Sequence, residues 1–358
     1  MKNLNFYIIL ACLIIHRFCN CYYEIGIWSD WNMFCGIAQH SEHLYKAFER
    51  ANITAVKYSH HVDYANILKQ IEQDKIKILN VQFDYYLIKD ELSFINLLHA
   101  IKSKNIKIVI TVHQEEIYNY KILQCADCIV YHKPPTIFKR FPFIIIQLPI
   151  PVFNPPTDNK FKLRKKYGFT FDQKIITTTG FIFPQKALPE ILTSLEPYIK
   201  RDEKIVIQFL NAISNRAIHV CEPEGLRLKT TIKNLSLENQ VIFIDTFLPQ
   251  NELSERLWIS DVGFTWFNQP LASVSATERE FIASRLPFVA NHNEHFNISG
   301  GVLKTASDIS AFTNSIITLL NNHNHLKKLR LEAQKIYSRY NYDSAIKHYL
   351  NVFEKVLQ

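Results

Sequence analysis

The chain has 358 residues, of which 47% are hydrophobic and 21% charged, and it carries a net charge of +8. This length fits two domains, and the composition excludes wholesale disorder. The mild basic excess suits anionic ligands or a membrane surface. With no aromatic-basic stripe beside it, it makes no case for nucleic acid.

The eight glycines argue against Gly-rich loops as the main phosphate-holding device. Seven cysteines at irregular spacings imply no disulfide framework. Cys125-x-x-Cys128 has no second pair to complete a zinc site, and Cys128 opens an apolar run, so both read as core. No Asp-x-Asp stands at a strand end, and no metal or cofactor is expected.

Residues 1–21 stand apart. Phe6 to Ile15 is apolar, with Lys2 before it and His16-Arg17 after it. Ten residues are too few to span a bilayer. The segment reads as a cleaved signal, a peripheral anchor or an extension ahead of the first domain.

Strands and helices alternate from Glu24 onward. Glu24–Trp28 reads as a strand, and Gly36–Glu49 as a helix with Ile37, His40, Leu44 and Phe48 on one face. Ile76–Val81 is a strand, Leu92–Ser103 a helix and Ile106–Val112 a strand. Ile129-Val130 and Phe143–Gln147 complete the first series. Four prolines between Pro149 and Pro156 then mark a linker. The basic run Lys160 to Lys166 reads as the solvated face of the next helix.

The alternation restarts with strand Lys174–Thr179 and helix Leu188–Ile199. Strand Ile205–Phe209, helix Gly225–Asn234, strand Val241–Ile244 and helix Gln250–Trp258 follow. Then come strand Val262–Trp266, a helix from Thr277 and strand Phe288–Ala290. Ile309 to Gln358 reads as helical. The expected fold class is α/β, with two doubly wound Rossmann-like domains facing across a cleft. The expected divisions are 22–150 for the first domain, 151–339 for the second, and 340–358 for a terminal helix returning to the first.

Ligands of doubly wound sheets sit beyond the carboxyl ends of the strands. Gly36 lies after the first strand, His113 directly follows Val112, and Lys186 follows the strand ending at Thr179. Glu280 lies in the helix after the strand ending at Trp266. Two facing sheets gather all four around one cleft. Each also has a structural reading. Gly36 could serve a positive-φ turn, His113 could cap a strand, and Glu280 could be a surface acid. Asp84 reads as structural. Lys186 opposes the dipole of the helix it precedes, which a nearby anion would explain. Ser273, Val274 and Ser275 open a helix whose amides can hold a phosphate, and a serine there can equally be an N-cap.

Several stretches carry a family resemblance. Cys35-Gly-Ile-Ala-Gln-His-Ser-Glu-His-Leu44 resembles an acceptor-domain opening, and Ile110-Thr-Val-His113 a strand ending in histidine. Gly180-Phe-Ile-Phe-Pro-Gln-Lys186-Ala resembles a donor-domain opening, commonly Gly-Arg-x-x-x-x-Lys-Gly. Asp261-Val-Gly-Phe-Thr-Trp resembles a strand of the same domain. Glu280-Phe-Ile-Ala-Ser-Arg-Leu-Pro-Phe-Val-Ala290 resembles Glu-Ala-Met-Ala-x-Gly-x-Pro-Val-Val-Ala. Asn341-Tyr-Asp-Ser-Ala-Ile346 resembles a final helix that crosses back to the first domain. In order and spacing they resemble the GT-B-fold retaining glycosyltransferases of the large "group 1" type (family four), from about Tyr22 to the end.

The resemblance implies transfer of a hexose from a UDP or GDP sugar, with retention, to a glycan, lipid-linked or polysaccharide acceptor. It implies that Lys186 neutralises the diphosphate and that Ser273, Val274 and Ser275 contact it. Gly36 and Gly180 would lie against the donor, Glu280 would hold the ribose hydroxyls, and His113 would touch the transferred sugar. The nucleotide sugar is a co-substrate, and no metal is needed. Membrane contact would be peripheral. The location implied is cytoplasmic, with a secretory route left open by Met1 to Cys21.

Three departures stand out. The first of the family's two acids would fall on Ala272, its arginine on Phe181, and the glycine after its lysine on Ala187. Ala272 and Phe181 favour one alternative, a catalytically impaired homologue acting as a binding or scaffold protein; a nucleotide-sugar epimerase is a second alternative. A dinucleotide oxidoreductase is excluded, since no Gly-x-Gly-x-x-Gly follows any strand.

Overall fold

The structure, a computed structural model, describes residues 25–60, 62–88, 90–113, 120–133, 143–153, 156, 158–268, 274–293, 296, 302–305 and 308–358. Two six-stranded sheets dominate it, and their described pairings are parallel.

The first sheet holds β1 (Ile25–Ser29), β2 (Ala55–Ser59), β3 (Ile78–Phe83), β4 (Lys107–Val112), β5 (Cys128–Tyr131) and β6 (Phe143–Ile145). Their order is β2-β1-β3-β4-β5-β6. Helices α1 (Gly36–Arg50), α2 (Tyr64–Asp74), α3 (Glu91–Lys102) and α4 (Tyr120–Gln124) connect them. The central strands are apolar because helices cover both faces. β1 and β3 are fully buried along their lengths.

The second sheet holds β7 (Lys174–Phe181), β8 (Ile205–Ala212), β9 (Val241–Ile244), β10 (Val262–Thr265), β11 (Phe288–Asn291) and β12 (Val302–Thr305). Its order, β12-β11-β10-β7-β8-β9, is that of a dinucleotide-binding sheet. Around it lie α5 (Lys160–Lys166), α6 (Leu188–Arg201), α7 (Ile218–Asn234), α8 (Gln250–Ile259) and α9 (Ala276–Ala283). α10 (Ile309–Leu320) and α11 (His323–Tyr340) follow, and α12 (Tyr342–Leu357) ends the chain.

The chain passes between the sheets twice, and the two passages pair. Ile150 N–H donates to Tyr340 O at 2.8 Å, and Tyr342 N–H donates to Ile150 O at 3.1 Å. Beyond this point α12 lies on the first sheet. Tyr342, Ile346, Tyr349 and Phe353 pack with Ile25, Ile27, Leu44 and Phe48. The helix is capped by Asn341, whose side chain accepts from Ser344 N–H at 2.9 Å.

Four elements had no expectation in the sequence: β2, α2, α4 and β12. β2 is a partly exposed edge strand and α2 buries Ile67 and Ile71 alone, so neither leaves a strong apolar pattern. α7 begins seven residues ahead of the expected Gly225, with Pro223 inside it.

The basic run of α5 is not merely a solvated face. Arg164 is buried, donates to the carbonyls of Ile259, Phe171 and Gln173, and pairs with Asp261 Oδ2 at 2.7 Å. Lys160 meets Asp261 Oδ1 at 2.9 Å. Asp261 also accepts from Ile175 N–H. One carboxylate thus joins α5, β7 and the start of β10, a structural task that opposes any site role for it. Cys125 and Cys128 are buried free thiols, as core residues should be.

Phe353 is fully buried and stacks on Phe48 at 6.1 Å between ring centroids. Phe353→Ala should cost about 3–5 kcal/mol through lost burial and the cavity left behind. Urea unfolding followed by circular dichroism would measure it.

Candidate active site

Between the two sheets, at the carboxyl ends of their strands, lies a cavity of about 340 Å³. In the second sheet the strand order reverses between β7 and β10, and in the first between β1 and β3. Loops leaving such a switch point diverge, and the gap between them is where ligands bind. Gly36, His113, Gly180, Lys186, Val274, Ser275 and Glu280 all line this one cavity. Ser273 and Ala272 lie outside the described residues.

Lys186 ends a single 3₁₀ turn, Pro184–Lys186, after β7. Its side chain folds back over the strand end and donates from Nζ to Thr179 O at 2.7 Å. Gly180 makes this possible. Its φ is +97°, and a Cβ there would stand 2.7 Å from Lys186 Nζ and 2.9 Å from Thr277 Oγ1. Any side chain would therefore be strained and would displace the ammonium. Burial pushes the Lys186 ammonium down to about 8, against the pull of nearby Glu280. This lysine needs no external anion to explain its position. The fold already supplies a carbonyl and a carboxylate for it.

Glu280 sits one turn into α9. Burial pushes its carboxyl up to about 7, with Lys186 opposing that shift. Its Oε2 is buried without a hydrogen-bond partner among the described residues. That rules out the surface-acid reading, because a buried polar atom is costly unless something satisfies it. α9 itself is capped by Ser275, whose Oγ accepts from Glu278 N–H at 3.2 Å. Ser275 Oγ thus accepts at the cap, which leaves its O–H able to donate to a ligand.

α9 is held by a buried ion pair. Arg279 Nη1 donates to Glu278 Oε2 at 2.5 Å, and both residues are within 1% of full burial. Arg279 Nε also donates to Leu148 O at 3.1 Å, just before the paired crossing strands. The helix start that faces the cavity is therefore fixed to the connection between the two sheets.

Gly36 does not make the positive-φ turn that was one reading of it. It is the first residue of α1, and among glycines only Gly168 and Gly180 have positive φ in the described residues. A Cβ at Gly36 would meet nothing within 4 Å. Its missing side chain leaves space in the cavity instead. Cys35 Sγ caps α1 by accepting from Ala38 N–H at 3.4 Å. Asp84, expected to be structural, also lines the cavity.

His113 follows β4 directly, and its Nε2 lies 2.9 Å from Gln82 Oε1. Two further histidines, neither expected as site residues, stand beside it in the cavity wall: His40 on α1 and His132 just past β5. Burial holds all three imidazoles below the usual histidine range.

Arg216 was also missed. It comes from the turn after β8, lines the cavity, and forms an ion pair across the cleft with Asp30, the residue following β1. The same rule that selected His113, a polar residue just beyond a strand end, points to Arg216 and His132 as well. Phe181 stands where the family pattern has arginine. It lies 6.1 Å from Phe247, and Phe247 stacks at 4.8 Å on Phe34 from the first domain. An aromatic row thus bridges the cleft where a cation was expected.

No family model matches the chain, and no curated protein matches it in sequence. Its backbone, however, is similar to solved structures across nearly its full length. One is a trehalose-6-phosphate synthase, OtsA, with a TM-score of 0.67 at 11% identity, covering 92% of this chain and 99% of that one. A UDP-forming alpha,alpha-trehalose-phosphate synthase from Burkholderia xenovorans gives 0.64 at 11% identity, covering 94% and 99%. The N-terminal domain of a Candida albicans trehalose-6-phosphate phosphatase gives 0.65 at 10% identity, covering 93% and 96%. The architecture is the GT-B fold, two parallel-sheet α/β domains around a cleft. Among the described residues no helix is long and apolar enough to cross a membrane.

Two predictions follow from the electrostatics. An anion bound beside Lys186 needs its ammonium, which is present below about pH 8 and lost as the pH rises through that value. Pyrophosphate affinity, read by calorimetry, should weaken by up to about tenfold per pH unit above it. Separately, Glu278→Leu leaves a buried guanidinium without its carboxylate and should cost about 3–5 kcal/mol in thermal unfolding. Glu278→Leu with Arg279→Met should recover much of that loss.

Proposed function

We propose that this protein is a glycosyltransferase that moves a hexose from a nucleotide diphosphate sugar, UDP or GDP linked, to a glycan or lipid-linked acceptor with retention of configuration. The observation that carries the proposal is the buried Lys186 ammonium. It sits at the switch point of the second sheet, beside the capped start of α9 and open to the cleft. That arrangement suits a diphosphate, whose charge an ammonium and helix-start amides together balance. The neighbours in fold support the class. They include UDP-forming synthases and one structure with bound UDP-2-fluoro glucose. Placement within group 1 rests on the sequence motifs.

In this reading the leaving group is the nucleoside diphosphate. Its negative charge grows as the bond to the anomeric carbon breaks, and pre-placed cations lower the energy of that state. Lys186 supplies one cation. Arg216, released from Asp30, supplies the second and compensates for Phe181. Ser273, Val274 and Ser275 offer backbone amides, Gly36 and Gly180 leave room for the phosphates, and Glu280 receives the ribose hydroxyls. His113 contacts the transferred sugar, and the leaving phosphate accepts the acceptor's proton. The chemistry needs no metal, because its cations are side chains. The carbohydrate product belongs to polysaccharide or glycoconjugate synthesis. Any membrane contact is peripheral, and the protein acts where cytoplasmic nucleotide sugars are available.

A thermal-shift titration with UDP, GDP, ADP and their common sugars tests the donor site. One nucleotide family should stabilise the protein, with Lys186→Ala abolishing the shift and Arg216→Ala reducing it. An unchanged shift in Lys186→Ala would sink the assignment. Stabilisation without sugar transfer to any acceptor would instead favour a binding protein that has lost catalysis.

A further inference from the structure

The three histidines in the cleft wall carry an inference independent of the donor reading. His40, His113 and His132 come from α1, the end of β4 and the end of β5, elements brought together by the first sheet. One ring nitrogen from each lies within 4.8 Å of the others. Their ring centroids are 5.0, 5.1 and 5.2 Å apart.

Each ring has its second nitrogen engaged by the fold. His132 Nδ1 lies 2.9 Å from Ile146 O. A carbonyl oxygen only accepts, so Nδ1 carries the hydrogen and Nε2 presents the lone pair. His113 Nε2 faces Gln82 Oε1, and the Gln82 amide is oriented in turn. Its Nε2 donates to Asn80 Oδ1 at 3.1 Å, which also accepts from Thr111 Oγ1 at 3.0 Å. His113 Nε2 therefore donates, and the lone pair falls on Nδ1. His40 Nδ1 lies 2.7 Å from the Tyr342 hydroxyl, which can receive its hydrogen.

Two ring nitrogens of the cluster are unsatisfied. Nε2 of His40 and Nε2 of His132 are buried without a hydrogen-bond partner among the described residues, on side chains only 4% and 2% exposed. Leaving two such atoms dry is costly. Neutral imidazoles with a fixed tautomer and an engaged outer nitrogen are the form in which histidine binds metal. Arg279 is the nearest cation acting on His132, and Glu278 balances it.

We propose that His40, His113 and His132 form a binding site for a divalent transition cation of the zinc class, with the fourth coordination position open to the cleft. Three neutral nitrogen ligands with no carboxylate among them favour zinc, cobalt or nickel over magnesium or calcium, which prefer oxygen. The 4.8 Å spread is wider than a closed tetrahedral set, so small ring rotations accompany binding. All three residues line the cavity, which gives the ion its way in.

The test is titration of the chelator-stripped full chain with Co²⁺, followed by displacement with Zn²⁺. The expected result is one equivalent bound with the intense visible bands of tetrahedral Co²⁺, lost in His132→Ala and in His40→Asn. X-ray absorption on the zinc-loaded wild type should give three imidazole nitrogens at about 2.0–2.1 Å, a readout that does not depend on the variants folding. Absence of tetrahedral Co²⁺, or binding unchanged in both variants, overturns the site and leaves surface histidines as the source. Neither result bears on the nucleotide shift of Lys186, so the two readings fail separately.

Discussion

The site is built around one strained position, the left-handed turn at Gly180 that lets an ammonium lie over the end of β7. A lysine buried this completely is costly, because the charged form loses its water. The fold offsets the cost with Thr179 O and with Glu280. Glu280 is itself pushed towards neutrality by burial, so each group holds part of the other's charge. Such a pair is responsive. An anion entering the cleft strengthens the ammonium, and a donor entering beside Glu280 gives its unsatisfied oxygen a partner. Perturbed groups of this kind, placed in a cleft, are where function is expected on physical grounds.

That response requires the two sheets to keep their relation, and three polar contacts among the described residues help to set it. The crossing chains pair at Ile150 with Tyr340 and Tyr342. Arg279 ties α9 to Leu148. Arg216 meets Asp30 across the cleft. The first two lie where the chain passes between the sheets and involve the buried Ile150, Tyr342 and Arg279. The third lies in the cavity and joins side chains that a bound anion can compete for. The cleft is therefore fixed at its connecting end and adjustable at its ligand end.

Much of this was legible in the sequence, for physical reasons. Buried parallel strands are continuous apolar runs, so β1, β3, β4, β7, β8 and β10 could be read directly, and the proline cluster marked the passage between sheets. The edge strand β2 left a weaker signal, because it is partly exposed along its length. Gly36, His113, Lys186 and Glu280 could be placed in one cleft, since strand ends converge in a doubly wound fold. Their detailed surroundings could not. Gly36 required the backbone to show that it opens a helix. Asp261 required side-chain contacts to show that it braces α5. Arg216 and His132 bore the same positional signal as His113 and were passed over because no motif accompanied them, whereas His40 was read only as part of the buried face of α1.

Phe181 and Arg216 show how a departure from a family pattern is best weighed. A lost arginine means a lost positive charge only if no other loop brings one to the same space. Here the turn after the neighbouring strand β8 does so, while Phe181 joins an aromatic row with Phe247 and Phe34. β7 and β8 pair along their lengths, with Phe181 opposite Ala212, so the two loops leave the sheet side by side. A charge can therefore move from one loop to the next with little change in its distance from the cleft. If Arg216 serves the donor as proposed, Phe181 is a rearrangement of the site, and its presence is then a weak argument for lost activity.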